Sequence, residues 1–245
     1  ADTVAGIFAG AITKWNDPKI VATNPDAKLP DANITAVHRS DDSGTTNNFT
    51  DYLAQAAPTV WTQPAADTFP AAFGGEAAKG TSAVVDAVTT GTNTIGYADA
   101  SAAGKLGHAE LKVGDAWLKP TAEAAAKIVD ESAVLPGRGE HDLALKLNRL
   151  SKDAYPAVLV SYALVCQTYK DAKDAELVKG FIGYAASTEG QKAAQTAAGS
   201  APLSEAMAAK VKASIDSIKS STTRSRSPSP NAASRAISAA ASASE

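Results

Sequence analysis

Short segments of β-strand character alternate with longer segments of helical period along most of this chain, and that alternation limits its fold more than any other feature. Residues 34–38, Ile-Thr-Ala-Val-His, alternate as a strand. Phe49, Tyr52, Leu53 and Ala56 then share one helical face, stopped by Pro58. Val84, Val85 and Val88 predict a second helix closed by Gly91, residues 94–98 a strand, and residues 100–106 a short helix. Residues 120–129 are helical with Pro120 near the first turn. The apolar run 158–165 has strand length and is expected to be a strand covered on both faces. Further helices are expected over 175–186, 189–197 and 204–218. At the start, Asp2 or Thr3 would cap a short helix through Val4, Ile7 and Phe8 that ends at Gly10. The pattern predicts an α/β fold with parallel or mixed sheets. Residues 220–245, rich in Ser, Arg, Pro and Ala, are expected to be disordered.

The formal net charge is −3, so no long-range positive field draws in nucleic acid or an anionic membrane. Any small anion must therefore be held by local groups, a helix end and a positioned cation or two. Cys166 is the only cysteine, which rules out an intrachain disulfide, and its apolar neighbours predict a buried, inert thiol. No apolar run approaches the ~20 residues that a membrane-crossing helix needs. Aromatic residues are 6% of the chain and alanine fills many apolar positions, so each core residue buries modest area.

Residues 38–46, His-Arg-Ser-Asp-Asp-Ser-Gly-Thr-Thr, lie between the predicted strand and the predicted helix. The first turn of a helix leaves backbone N–H groups without partners, and these carry partial positive charge. A strand-to-helix loop aims several of them at one place, which suits an anion. Gly44 would let an oxyanion approach its backbone closely, Ser43 and Thr45 offer hydroxyl donors, and Arg39 offers a planar fork for two oxygens. Asp41 has two compatible roles. It could accept a P–O–H proton, which phosphate retains near neutral pH and sulfate lacks, or it could orient Arg39 by an ion pair. An ordinary turn with an N-cap would use the same residue types.

The segment from Arg39 to Thr46, followed by Phe49-Thr-Asp-Tyr-Leu53, resembles the R-x-D-x-S-G-T-(S/T)…F-T-x-Y-L pattern of phosphate-specific ABC-transporter binding proteins, the PstS type. Residues 7–20, with Ile7, Phe8, Gly10, Ile12, Trp15, Asp17 and Ile20, are similar to that family's I-(F/Y)-x-G-x-I-x-x-W-x-D-x-x-I. Thr94-Ile-Gly-Tyr97 and Tyr155-Pro156 also fit, and together the matches span residues 3 to about 219 in order. The resemblance implies a periplasmic-binding-protein-like (type II) α/β fold, a bilobed solute binder that encloses dehydrated phosphate. It implies Arg39, Ser43, Gly44 and Thr45 as phosphate contacts, with Asp41 as acceptor or Arg-orienting residue. It also implies an extracytoplasmic location and a membrane ABC permease as partner, with no cofactor, metal or nucleic acid. Trp15, Trp61, Trp117, Tyr97 and Phe49 are expected to be packing residues.

Family members begin with a further segment that supplies part of one lobe and several pocket residues, so one lobe is expected to be incomplete here. Residues 1–150 would form most of the second lobe and residues 151–219 the returning part of the first. Catalysis finds little support. Ser43 is not set in G-x-S-x-G, no G-x-x-x-x-G-K-(S/T) occurs, and His38, His108 and His141 are scattered.

Overall fold

The structure, a computed structural model, describes residues 1–221. Its N-terminal half is built as the alternation predicts. Helices α1 (Asp2–Phe8) and α2 (Pro18–Val21) precede strand β1 (Thr35–Arg39), helix α3 (Gly44–Ala56), strand β2 (Glu76–Ala78), helix α4 (Gly80–Thr90) and strand β3 (Thr94–Gly96). The cap of α1 differs from expectation: its N-cap position is Ala1, with no side-chain cap bond. Helix α2 was unanticipated, although Asp17 caps it through the Lys19 N–H and Pro18 opens it.

The three strands form a parallel sheet in the order β2-β1-β3. The chain thus moves from β1 to one side, then crosses back to the other, and the two crossover helices cover opposite faces. Alternation along β1 shows this directly. Ala36 joins the core that holds Tyr52 and Leu53 of α3, whereas Val37 packs with Ala78 and Val84 on the α4 side. Strand β2 lacks β-branched residues and escaped the sequence pattern. Gly75 admits it: φ there is +131°, and a Cβ would stand 2.5 Å from the Ala36 carbonyl oxygen of β1.

Few aromatic residues serve this core, but they are concentrated. Phe8 meets Phe49 edge-on at 4.8 Å, Phe49 stacks on Tyr97 at 4.5 Å, and Phe69 and Phe73 surround Trp61. Offset and edge-on pairs of this kind add about 0.5–1.5 kcal/mol beyond their burial. Trp61 and Phe49 are packing residues as expected, but Trp117 is 45% exposed.

Beyond the sheet come α5 (Ala100–Ala103), the antiparallel pair β4 (Leu111–Val113) and β5 (Ala116–Leu118), α6 (Ala122–Asp130), and the antiparallel pair β6 (Ala133–Val134) and β7 (Leu145–Lys146). Strand β8 (Thr168–Tyr169) leads to α7 (Ala172–Ala186), α8 (Thr188–Ala198) and α9 (Glu205–Asp216), and β9 (Lys219–Ser220) returns parallel to β8. The three helices match the predicted ones to within a few residues. Ser220 belongs to β9, and residues 222–245 of the expected disordered tail lie outside the described residues.

Two expectations fail together. The run 158–165 is not a strand, and Tyr162, Leu164 and Val165 are exposed, Leu164 by 91%. A doubly covered strand needs a hydrogen-bonded neighbour and an apolar layer on each face. Among the described residues this run has no ladder partner. Cys166, which follows it, is exposed rather than buried for the same reason. Leu177, Phe181 and Tyr184 on α7 are also open to solvent.

Helix α3 carries the candidate loop, and its buried face anchors it. Leu53 is fully buried in that face, so Leu53→Ala is expected to lower stability by about 2–5 kcal/mol. Urea unfolding monitored by circular dichroism measures this; a loss below 1 kcal/mol would show that α3 is not held by its apolar face.

Candidate anion-binding site

In open α/β sheets, loops at the carboxyl ends of strands flank a crevice where the order of connection reverses. Here that position falls at the end of β1. Arg39 is its last residue, α3 starts at Gly44, and α4 starts at Gly80 just after β2, whose Ala78 pairs with Arg39. Both helices open with Gly-Thr, Gly44-Thr45 and Gly80-Thr81. The second copy lies outside the strand-to-helix loop at residues 38–46.

Tyr97 fixes the end of β1 against α3. Its hydroxyl oxygen accepts from the Arg39 backbone N–H at 3.1 Å and shares a hydrogen bond with the Thr46 hydroxyl at 2.8 Å. Its ring stacks on Phe49, and burial pushes its hydroxyl pKa upward. Tyr97 is therefore more than a packing residue, although it acts on the protein's own backbone.

Ser43 is the N-cap of α3. Its hydroxyl oxygen accepts from the Thr45 N–H at 3.1 Å and the Thr46 N–H at 3.4 Å. These amides are thereby largely spent on the cap. What this turn retains for a ligand is the Gly44 N–H, which has no carbonyl in its own helix, and the Ser43 and Thr45 hydroxyl protons.

Arg39 and Asp41 come together in a two-pronged ion pair. Nε donates to Oδ1 at 2.8 Å and Nη2 to Oδ2 at 2.6 Å, while Nη1 donates to the Thr81 hydroxyl at 3.3 Å. Asp41 Oδ1 also accepts from the Gly80 N–H at 3.0 Å, in the first turn of α4. The guanidinium and then this amide hold the Asp41 carboxyl well below the usual carboxylate range. Asp41 is thus ionised, and in this state it orients Arg39. Sequence reasoning missed Gly80 and Thr81, which complete the frame around the pair.

Among the described residues no His, Cys, Asp and Glu side chains gather as a metal site. No helix there is long and apolar enough to cross a membrane.

The PBP superfamily domain matches residues 1–189. The chain belongs to that superfamily. Phosphate-binding protein PstS 2 of Mycobacterium tuberculosis is 34% identical over 224 residues, covering 88% of this chain and 59% of that protein. Phosphate-binding protein PstS of Xylella fastidiosa is 32% identical over 183 residues, covering 73% of this chain and 50% of that protein. The solved structure of a high affinity periplasmic phosphate-binding protein (PfluDING) bound with phosphate superposes with a TM-score of 0.62 at 22% identity. It matches 87% of this chain and 64% of its own. The fold is accordingly of the periplasmic-binding-protein α/β kind, and the chain spans 50–59% of the length of these two curated relatives.

The ion pair has a pH signature. Because the folded-state pKa of Asp41 is depressed, its stabilising contribution is present above the unfolded value near 3.9 and is lost as pH falls through the lower folded value. A carbon-13 NMR titration should place the Asp41 midpoint below about 3.9, and Arg39→Ala should move it upward. An ordinary midpoint in the unmodified protein would disprove the pairing.

Proposed function

We propose that this chain is the phosphate-capturing part of an extracytoplasmic binding protein that delivers inorganic phosphate to an ABC permease for import, without catalysis. The single observation carrying this reading is the frame at the end of β1: Arg39 held by Asp41 and Thr81, with Asp41 held in turn by the Gly80 N–H, beside the first turn of α3. A guanidinium with hydroxyl and amide donors matches a tetrahedral oxyanion. The printed names of the relatives supply the anion's identity. Arg39, Ser43, Gly44 and Thr45 are the proposed contacts. Asp41 positions Arg39 and, through its remaining lone pairs, would accept the proton that phosphate carries and sulfate lacks.

Residues 1–150 are proposed as most of one lobe, with residues 151–219 the returning part of the other. The uncovered run 158–165 favours a second outcome for the chain by itself. An anion taken from water needs nearly all its oxygens satisfied, and each hydrogen bond to it contributes roughly 1.5–3 kcal/mol. With donors drawn from one side, affinity would fall below that of the longer relatives, to weak or no phosphate binding or to binding of another tetrahedral oxyanion.

Calorimetry with phosphate and sulfate tests both readings. Phosphate should bind more tightly than sulfate, and Arg39→Ala should weaken binding by about 2–5 kcal/mol. Equal affinity for the two anions sinks the role of Asp41, and an unchanged Arg39→Ala variant removes Arg39 from the site.

A further inference from the structure

Arg149 lies beyond β7 with only 3% of its surface exposed, and nothing in the strand-helix pattern marks it. Its guanidinium makes four hydrogen bonds in two directions. Toward α3, Nε donates to Asp51 Oδ2 at 2.8 Å and Nη2 to Asn48 Oδ1 at 2.7 Å. Away from α3, Nη1 donates to the carbonyls of Pro156 at 2.9 Å and Val158 at 2.7 Å. Asn48 and Asp51 are three residues apart and so share one helix face. Asn48 in turn donates through Nδ2 to the Gly44 carbonyl at 2.9 Å, which ties the fork to the first turn of α3.

The other direction leads to the same turn. Leu159 follows Val158 and is 37% exposed, and its Cδ1 lies 4.0 Å from where a Gly44 Cβ would stand, so this side chain neighbours the Gly44 backbone. The segment carrying Leu159 is the run 158–165, which has no strand ladder to hold it. Arg149 fixes the Val158 carbonyl, the first of the run, together with the Pro156 carbonyl just ahead of it. A lysine could not reproduce this, because its point charge lacks the planar set of donors needed to span four acceptors.

We propose that Arg149 is a positioning residue for the anion site: it holds Leu159 beside the Gly44 backbone, so that the first turn of α3 meets its ligand next to an apolar side chain. Hydrogen bonds to an anion strengthen as apolar groups displace water beside them, and Leu159, itself partly exposed, would do so on one flank of the turn. The contribution of Arg149 is therefore carried by Leu159, with no contact between Arg149 and the ligand. The affinity part of this proposal rests on the phosphate reading above; the geometric part does not.

Two measurements on the full chain separate these parts. Without ligand, NMR should show a cross-relaxation peak between the Leu159 methyls and the Gly44 α-protons. Arg149→Met should abolish it while the Phe8–Phe49 ring contact survives; a peak that persists overturns the proposal. Arg149→Lys keeps the charge beside Asp51 and guards against a Met variant that fails to fold. It should also weaken the peak, and full retention by lysine would overturn the geometric role. With inorganic phosphate, calorimetry should show roughly tenfold weaker binding for Arg149→Met and for Leu159→Ala, with the double variant no weaker than either single one. Losses that simply multiply would show that Arg149 does not act through Leu159. Absence of phosphate binding by the unmodified chain would refute the phosphate reading, and the cross-relaxation peak would still decide whether Arg149 places Leu159.

Discussion

The pairing of Arg39 with Asp41 occupies the space between two helix starts, and much of the local architecture answers to it. Asp41 brings its negative charge to the first turn of α4 through the Gly80 amide, where a helix dipole favours an anion. Arg39 is thereby restrained on three sides, by Asp41, Thr81 and the backbone bond to Tyr97. A partly exposed pair of this kind adds little to stability, because solvent screens it and side-chain entropy opposes it. Its value is geometric. A guanidinium already ordered loses less freedom when a ligand arrives, and preorganisation is how electrostatic sites gain strength.

The parallel sheet makes this arrangement possible. Because β1 lies between β2 and β3, its two faces are covered by different helices, and both helices begin at the same edge. The core of the α3 side then extends to that edge through Tyr97, whose ring belongs to the aromatic cluster and whose hydroxyl belongs to the frame. One residue thus joins hydrophobic packing to a polar site.

The strand, loop and helix at residues 34–56 were legible because alternation, a capping Ser43 and a helical apolar face all agreed. The candidate residues stand in that loop in the expected order, yet the sequence could not show that Ser43 spends its oxygen on the cap or that Asp41 reaches Gly80. The latter contact joins residues far apart in the chain, and local patterns carry no record of it. Strand β2 was hidden by its composition, Glu-Ala-Ala, since its pairing comes from β1 and not from its own propensity. The run 158–165 failed in the opposite sense. Its residues favour a strand, but a strand exists only where neighbours complete its ladder, and Cys166 followed the same error. Arg149 was invisible because a lone arginine between Asn148 and Leu150 looks like surface until its four acceptors are found.

Tyr97 has a consequence for mutational scanning. Phe8 and Phe69 surround its ring without entering the polar frame. Shrinking either would tilt the phenol and shift the hydroxyl on which the Arg39 backbone rests. A deep scan scored for ligand capture would then mark such interior aromatics as though they were recognition residues. Distinguishing them would require scoring abundance and capture separately, since packing defects depress both while a true contact depresses only the second.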